Sequence, residues 1–173
     1  MFSYDPYAEL ATLREFAPMT LTSTDFDDGR PLPAAQWGAA GGGSDTSPQL
    51  SWAGAPEGTR SFALSCFDPD APTGSGFWHW ALFDIPAEVT SLDAGDARPT
   101  GAVSLRNEPG TLGFVGAGPP PGTGTHRYFF VVDALDVASL NVSRDATPAI
   151  LGFNRHFHSL ARAILVGTAT SDS

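Results

Sequence analysis

In the stretch "DPDAPTGSGFWHWALFDIP" (68–86), two carboxylates and an imidazole stand close together in a chain whose formal net charge is -10. Proline at 69 and 72 keeps 68–72 out of helical geometry, because the residue before a proline is pushed to extended backbone. Asp68 and Asp70 are thereby held at a strand end, where they either bond nearby backbone amides in an Asx-type turn or face a ligand. A strand of period two across 77–85 puts His79 on one face with Phe77, Ala81 and Phe83, and Trp78, Trp80 and Leu82 on the other. Such a histidine is either a satisfied core side chain or a titratable group beside the carboxylate loop. In the second case the two aspartates are expected to outweigh desolvation and keep the imidazole charged.

A second stretch, "GFVGAGPPPGTGTHRYFF" (113–130), adds donors. Gly116 and Gly118 can present backbone N–H groups in a concave nest, an anion-binding device that needs no lysine, and Pro119, Pro120 and Pro121 stiffen its rim. His126 and Tyr128 are two apart, so in a strand both point to one side. The alternative is a hairpin loop with ordinary packing. Together the two stretches could hold a small anion, with hydrogen bonds from the glycine amides, imidazolium and Tyr128, while the carboxylates keep the histidines charged or receive an ammonium. Asp68, His79 and His126 could instead ligate a metal, or Asp68 and His79 could act as an acid–base pair. The histidines lack tight ligand spacing, and no Ser or Cys nucleophile with a base beside it is readable. A binding protein is therefore expected, not an enzyme, with no metal and no cofactor.

These side chains need a β framework to position them. "RSFALSCF" (60–67), "FWHWALFDI" (77–85) and "HRYFFVVDAL" (126–135) are apolar runs bounded by turn signals, as buried strands are. Residues 18–30 alternate toward a turn at Asp28-Gly29. Residues 38–48, "GAAGGGSDTSP", lack the Gly-Lys-Ser/Thr of a P-loop and are expected to be a flexible surface loop. Near the C-terminus the period changes: Ile150, Phe153, Phe157, Leu160, Ala161 and Ile164 recur at three and four, after Thr147 as N-cap and Pro148 at the first helical position. A helix of about four turns ending before Gly167 is expected, packed on the sheet through that stripe.

At 173 residues the chain is expected to form a single domain, 1–173, with 1–17 as an N-terminal arm. All nine basic residues are Arg, against 19 acidic ones, which disfavours nucleic acid and anionic lipid surfaces. No stretch approaches the roughly 18 apolar residues of a membrane span, so stable membrane insertion is not expected. The single cysteine, Cys66, allows no internal disulfide and points to a reducing, cytoplasmic location.

In order and spacing, "DPDAP", "FWHW" and "GAGPPPGTGTHRYFF" resemble the phosphatidylethanolamine-binding proteins, in particular the bacterial Raf-kinase-inhibitor-like branch. The resemblance extends to "SPQLSWAGAPEGTRSFAL" (47–64) and "GFNRHFHSLARAILVGT" (152–168). It implies a mainly β fold: a large antiparallel sheet packed with a smaller sheet, and peripheral helices including one at the C-terminus. It also implies an anion-binding cavity at one end of the sheet, formed here by Asp68, Pro72, His79, Gly116, Gly118, Pro119, Pro120, His126 and Tyr128, with Asp70 and Arg127 orienting the lining. Phe114 replaces a tyrosine and Pro121 a basic residue of many eukaryotic relatives. The function implied is binding of a small anion or phosphate headgroup, with possible regulation of a protein partner. Protease or kinase inhibition through the surface is the alternative. A homodimer is expected from the branch, and from Trp37 and Phe26 read as exposed aromatics.

Overall fold

The computed structural model describes residues 4–95 and 98–171. In chain order its elements are α1 (Pro6–Leu13), β1 (Ala17–Pro18), β2 (Thr20–Thr22), β3 (Arg30–Pro31), β4 (Leu50–Ala53), β5 (Ser61–Asp68), β6 (Phe77–Pro86), β7 (Ser91–Leu92), β8 (Val103–Ser104), β9 (Thr125–Leu135), α2 (Pro148–His158) and β10 (Ser159–Thr170). One sheet runs β1-β10-β9-β5-β6-β8, with β3 also paired to β10, and a smaller sheet runs β2-β4-β7. The fold is mainly β, with the smaller antiparallel sheet packed on the larger. The large sheet is mixed where an antiparallel one was expected, because β1 and β3 pair with β10 in parallel.

The main core lies between the sheets. Leu21, Leu50, Trp52 and Leu92 of the small sheet meet Phe62, Leu64, Trp80, Leu82, Phe130 and Val132 of the large one. On the outer face, Leu151 of α2 packs with Ala63, Ala81 and Phe83, and Tyr7 of α1 packs with Phe129 and Val131. The presumed arm thus contains a helix over the sheet, capped by Asp5, whose Oδ1 accepts the Tyr7 and Ala8 amides. Asp5-Pro6 is the same cap-plus-proline signal as Thr147-Pro148, and it was legible. Phe26 is buried in the main core and Trp37 packs half-buried against it, so neither is the exposed aromatic that the dimer expectation used.

The C-terminal helix departs from expectation in length and face. Thr147 caps it through the Ile150 amide, but it stops at His158, and 159–170 form β10, buried at every second residue and antiparallel to β9 along its length. Leu160, Ala161 and Ile164 fit both periods, and the eleven-residue edge of β9 selects the strand. The buried side chains of α2 are Pro148, Leu151 and Arg155. Ile150, Phe153 and Phe157, the expected core stripe, are 49%, 64% and 58% exposed. Asp133, fully buried on β9, supplies the reason: Arg155 must turn inward toward it, which carries the apolar stripe outward.

The turn between β5 and β6 depends on Gly76, whose φ is +75° and whose added Cβ would enter the Phe67 ring and approach the Asp68 carbonyl. Gly76→Ala is expected to cost about 1–3 kcal/mol. The denaturation midpoint checks it, and Gly74→Ala, also at positive φ but in open space, is expected to cost less.

Candidate functional site

Asp68 ends β5 beside the first residues of β6 and β9, so the antiparallel order β9-β5-β6 brings Asp68, His79, His126 and Tyr128 to one end of the sheet. They line a cavity of about 230 Å³ together with Pro72, Gly116, Gly118 and Pro120. Ala71, Thr73 and Phe77 also line it. Pro119 does not: it is buried but is not part of the lining.

His79 reaches the cavity through a break in strand periodicity. Phe67 pairs with Trp78 and Cys66 with Trp80, so β6 inserts one residue, His79, against β5. Trp78 consequently stacks on Phe67 on the outer face while Trp80 packs on Phe114 in the main core. Strict alternation, which put both tryptophans on one face, fails here. The His79 ring lies edge-on to Tyr128, with centroids 5.0 Å apart. Its Nδ1 is 2.8 Å from the Val115 carbonyl and must be the donor, so Nε2 is left to meet a ligand. Burial pushes its pKa below the ordinary histidine value; the Val115 carbonyl and the Asp68 charge only partly oppose this. The expectation that carboxylates outweigh desolvation therefore fails for His79, which is neutral at pH 7.

Asp68 serves the turn and the second histidine. Its Oδ1 accepts the Asp70 and Ala71 amides at 2.8 and 3.1 Å, and its Oδ2 lies 2.7 Å from His126 Nδ1. The Asx-type reading of the turn thus holds for Asp68, which also lines the cavity, whereas Asp70 does not line it. His126 Nε2 is 2.8 Å from Thr123 Oγ1, which is itself 2.7 Å from the Pro120 carbonyl. Donating to Pro120, the hydroxyl can accept from a doubly protonated ring; turned to Nε2, it serves a neutral one. His126 keeps partners in either state, so no ring nitrogen is free for a ligand.

The glycine stretch also differs from expectation. The Gly116 amide donates to Asp45 Oδ1 at 2.7 Å, and the Val115 and Ala117 amides go to the His79 and Gln36 carbonyls. Neither Gly116 nor Gly118 has positive φ, so no nest forms. The Gly118 amide serves the Tyr128 hydroxyl. Residues 38–48 are correspondingly no loose loop: Asp45 holds Gly116, and a Cβ on Gly43 or Gly116 would collide with the Trp37 backbone. Asp45 and Thr123 were missed, since isolated polar residues among glycines carry no periodic signal.

Tyr128 is the donor that remains. Burial and the Asp68 charge raise its pKa far above the ordinary tyrosine value, so the hydroxyl keeps its proton. With the Gly118 amide directed at its oxygen, that proton can go to a ligand. Asp70 and Arg127 do not line the cavity and pair with each other beside it. Arg127 Nε and Nη2 grip the two Asp70 oxygens at 2.7 and 2.8 Å, and the Arg127 amide adds a bond of 2.9 Å. Burial alone would raise the Asp70 carboxyl, but the Arg127 bonds and charge bring it below the usual carboxylate range. This clamp ties the turn to β9.

Residues 22–170 match the model of the phosphatidylethanolamine-binding protein family. The chain belongs to that family. UPF0098 protein YbhB of Escherichia coli K12 is 45% identical over 152 residues, covering 84% of this chain and 96% of YbhB. The crystal structure of E. coli YbcL, described as a member of the mammalian PEBP family, superposes with a TM-score of 0.85 at 40% identity, covering 90% of this chain and all of YbcL. Carboxypeptidase Y inhibitor, in complex with its cognate proteinase, is 18% identical with a TM-score of 0.56, covering 91% of this chain and 86% of the inhibitor, and shares the fold alone. Among the described residues no cluster of three His, Cys, Asp or Glu side chains could hold a metal ion, and no helix is long and apolar enough to cross a membrane.

Proposed function

We propose that this phosphatidylethanolamine-binding protein family member binds a small anion, of the phosphate-headgroup class, in the cavity at the end of the large sheet, without turning it over. The carrying observation is the pairing of Tyr128, a buried hydroxyl with its proton to give, with His79, whose Nε2 accepts while the ring is neutral. A ligand oxygen that takes the tyrosine hydrogen bond, next to a P–OH that donates to His79, satisfies both; a fully ionised oxyanion does so once His79 takes up a proton. The volume of about 230 Å³ admits a headgroup and leaves little for a lipid tail. Asp68 bonds His126 rather than His79, so the acid–base pair considered from the sequence is not assembled.

Sulfate tests this, because its charge is fixed between pH 5 and 8.5. The free protein holds His79 neutral and a bound dianion favours the imidazolium, so binding should take up a proton and tighten as pH falls through the His79 range, below about 6.5. Calorimetry in two buffers of different ionisation heat should detect that proton. His79→Gln should weaken binding about tenfold at pH 5.5 and abolish the pH dependence. Equal affinity at pH 5.5 and 8.5 in the wild type would show that neutral groups alone recognise the anion and would remove His79 from this role.

Inhibition of a protease or kinase remains the alternative; pull-downs with wild type and a Tyr128→Phe variant separate the two, since a surface-driven partner ignores the pocket. The homodimer rests on the family branch, and light scattering giving the 18.1 kDa monomer at micromolar concentration would remove it. Cytoplasmic residence is part of the same proposal, although Cys66 no longer argues for it: the thiol is fully buried and its pKa is raised by burial, which protects it in any compartment.

A further inference from the structure

We infer that the groove on the helix side of the large sheet is a second ligand site, for a single-chain amphiphile bearing a carboxylate. The groove lies on the opposite face of the sheet from the anion cavity, has a volume of about 930 Å³, and shares only Ala71 and Pro72 with it. That volume is in the range of small-molecule sites. Leu10 and Leu13 of α1, Phe67 and Trp78 of the sheet, and Phe153 and Phe157 of α2 give it an apolar lining. The outward-turned stripe of α2 therefore has a place: it borders the groove instead of the core.

The charge beneath that lining selects the head. Arg155 and Arg162 both line the groove and are almost fully buried, and they share one buried anion, Asp133. Arg162 grips Asp133 through Nε and Nη2 at 2.7 and 2.8 Å. Arg155 Nη2 donates to Ser65, and its Nε lies 3.4 Å from Asp133 Oδ2, close enough for attraction but without a hydrogen bond. Nη1 of each arginine has no partner. Two cations against one carboxylate leave one buried positive charge and three unpaired guanidinium nitrogens, Arg155 Nε and Nη1 and Arg162 Nη1, an arrangement that costs stability unless an anion completes it. A carboxylate head carries the single charge required, and it reaches the two guanidinium groups once the side chains covering them, Phe16 over Arg162 among them, move aside. An aliphatic tail then covers the leucines and aromatics. This reading is independent of the anion cavity.

Dodecanoate, below its micellar concentration at pH 8, is the probe, with dodecanol and dodecyltrimethylammonium as controls of equal chain length. Calorimetry and native mass spectrometry should show one dodecanoate per chain, with both controls at least about tenfold weaker. Gly152 on α2 lines the groove, and a Cβ there meets nothing within 4 Å, so Gly152→Leu should fill the groove without unfolding the protein. It should weaken dodecanoate at least about tenfold while the melting temperature stays level or rises. Leu13→Glu, at an exposed position on the rim, should weaken dodecanoate and spare sulfate. The inference fails if dodecanoate does not bind, if the three probes bind alike, or if both variants bind normally. It fails equally if His79→Gln abolishes dodecanoate binding, which would place the probe in the anion cavity, or if light scattering shows a second copy of the chain closing the groove.

Discussion

Asp68→Ala is expected to lower stability by about 3–5 kcal/mol, because one truncation strands three donors. The Asp70 and Ala71 amides and His126 Nδ1 all end on this carboxylate, and each orphaned buried donor costs about 1–3 kcal/mol. Asp68→Asn should cost much less. Its Oδ1 can still accept both amides, and its Nδ2 can donate to His126 Nδ1 once the ring moves its proton to Nε2, where Thr123 Oγ1 accepts it. Guanidinium denaturation of the two variants at matched m-values reads the difference. A similar small loss in both would mean that the carboxylate is dispensable to the turn.

Asp133→Asn is expected to cost about 3–5 kcal/mol as well, through charge. Fully buried, Asp133 is the counter-ion of Arg155 and Arg162, and removing one partner of a buried ion cluster leaves the others uncompensated. Burial by itself would raise the Asp133 carboxyl. The charges of Arg155 and Arg162 and the hydrogen bonds from Arg162 and Ser159 more than offset it, so its pKa lies below the ordinary value of about 3.9. The sign follows from that direction. The unfolded chain takes up a proton at higher pH than the folded one, so this stabilisation is fully present above about pH 4 and is lost as pH falls through the folded-state value. Stability measured from pH 6 down to pH 2.5 should drop more steeply in wild type than in Asp133→Asn; parallel curves would show that Asp133 is not the acid-sensitive group.

Burial of His79 acts in the same sense but in a higher pH window. Its lowered pKa means the folded state resists protonation, so its contribution to stability is present above about pH 6.5 and declines as pH falls below that. Sulfate, by favouring the imidazolium, should restore part of the loss.

The strands β5, β6 and β9 were legible because each is an apolar run longer than a turn and shorter than most helices, bounded by Gly or Pro. Thr147-Pro148 marked the start of α2 to the residue. Its end and face were not legible. Leu160, Ala161 and Ile164 satisfy two periods, and the facing edge of β9 decides between them. The buried side of α2 was set by Asp133, which reads in sequence as one more acid in an apolar strand.

For the candidate site, residue types and spacing picked out two stretches, one with Asp68, Asp70 and His79 and one with His126, Arg127 and Tyr128, and the family resemblance implied that they gather. Covalent neighbours and strand period suffice for each stretch, while the strand order β9-β5-β6 and the bulge at His79 bring the two together. What each group can do was decided only by the tertiary structure. The bulge at His79 reverses the face of Trp78, burial outweighs the carboxylates at His79, and Asp45, distant in sequence, takes the Gly116 amide that would have held an anion. Protonation and hydrogen-bond availability depend on desolvation and on partners from other elements, and those distances exist only once the sheets and loops have packed.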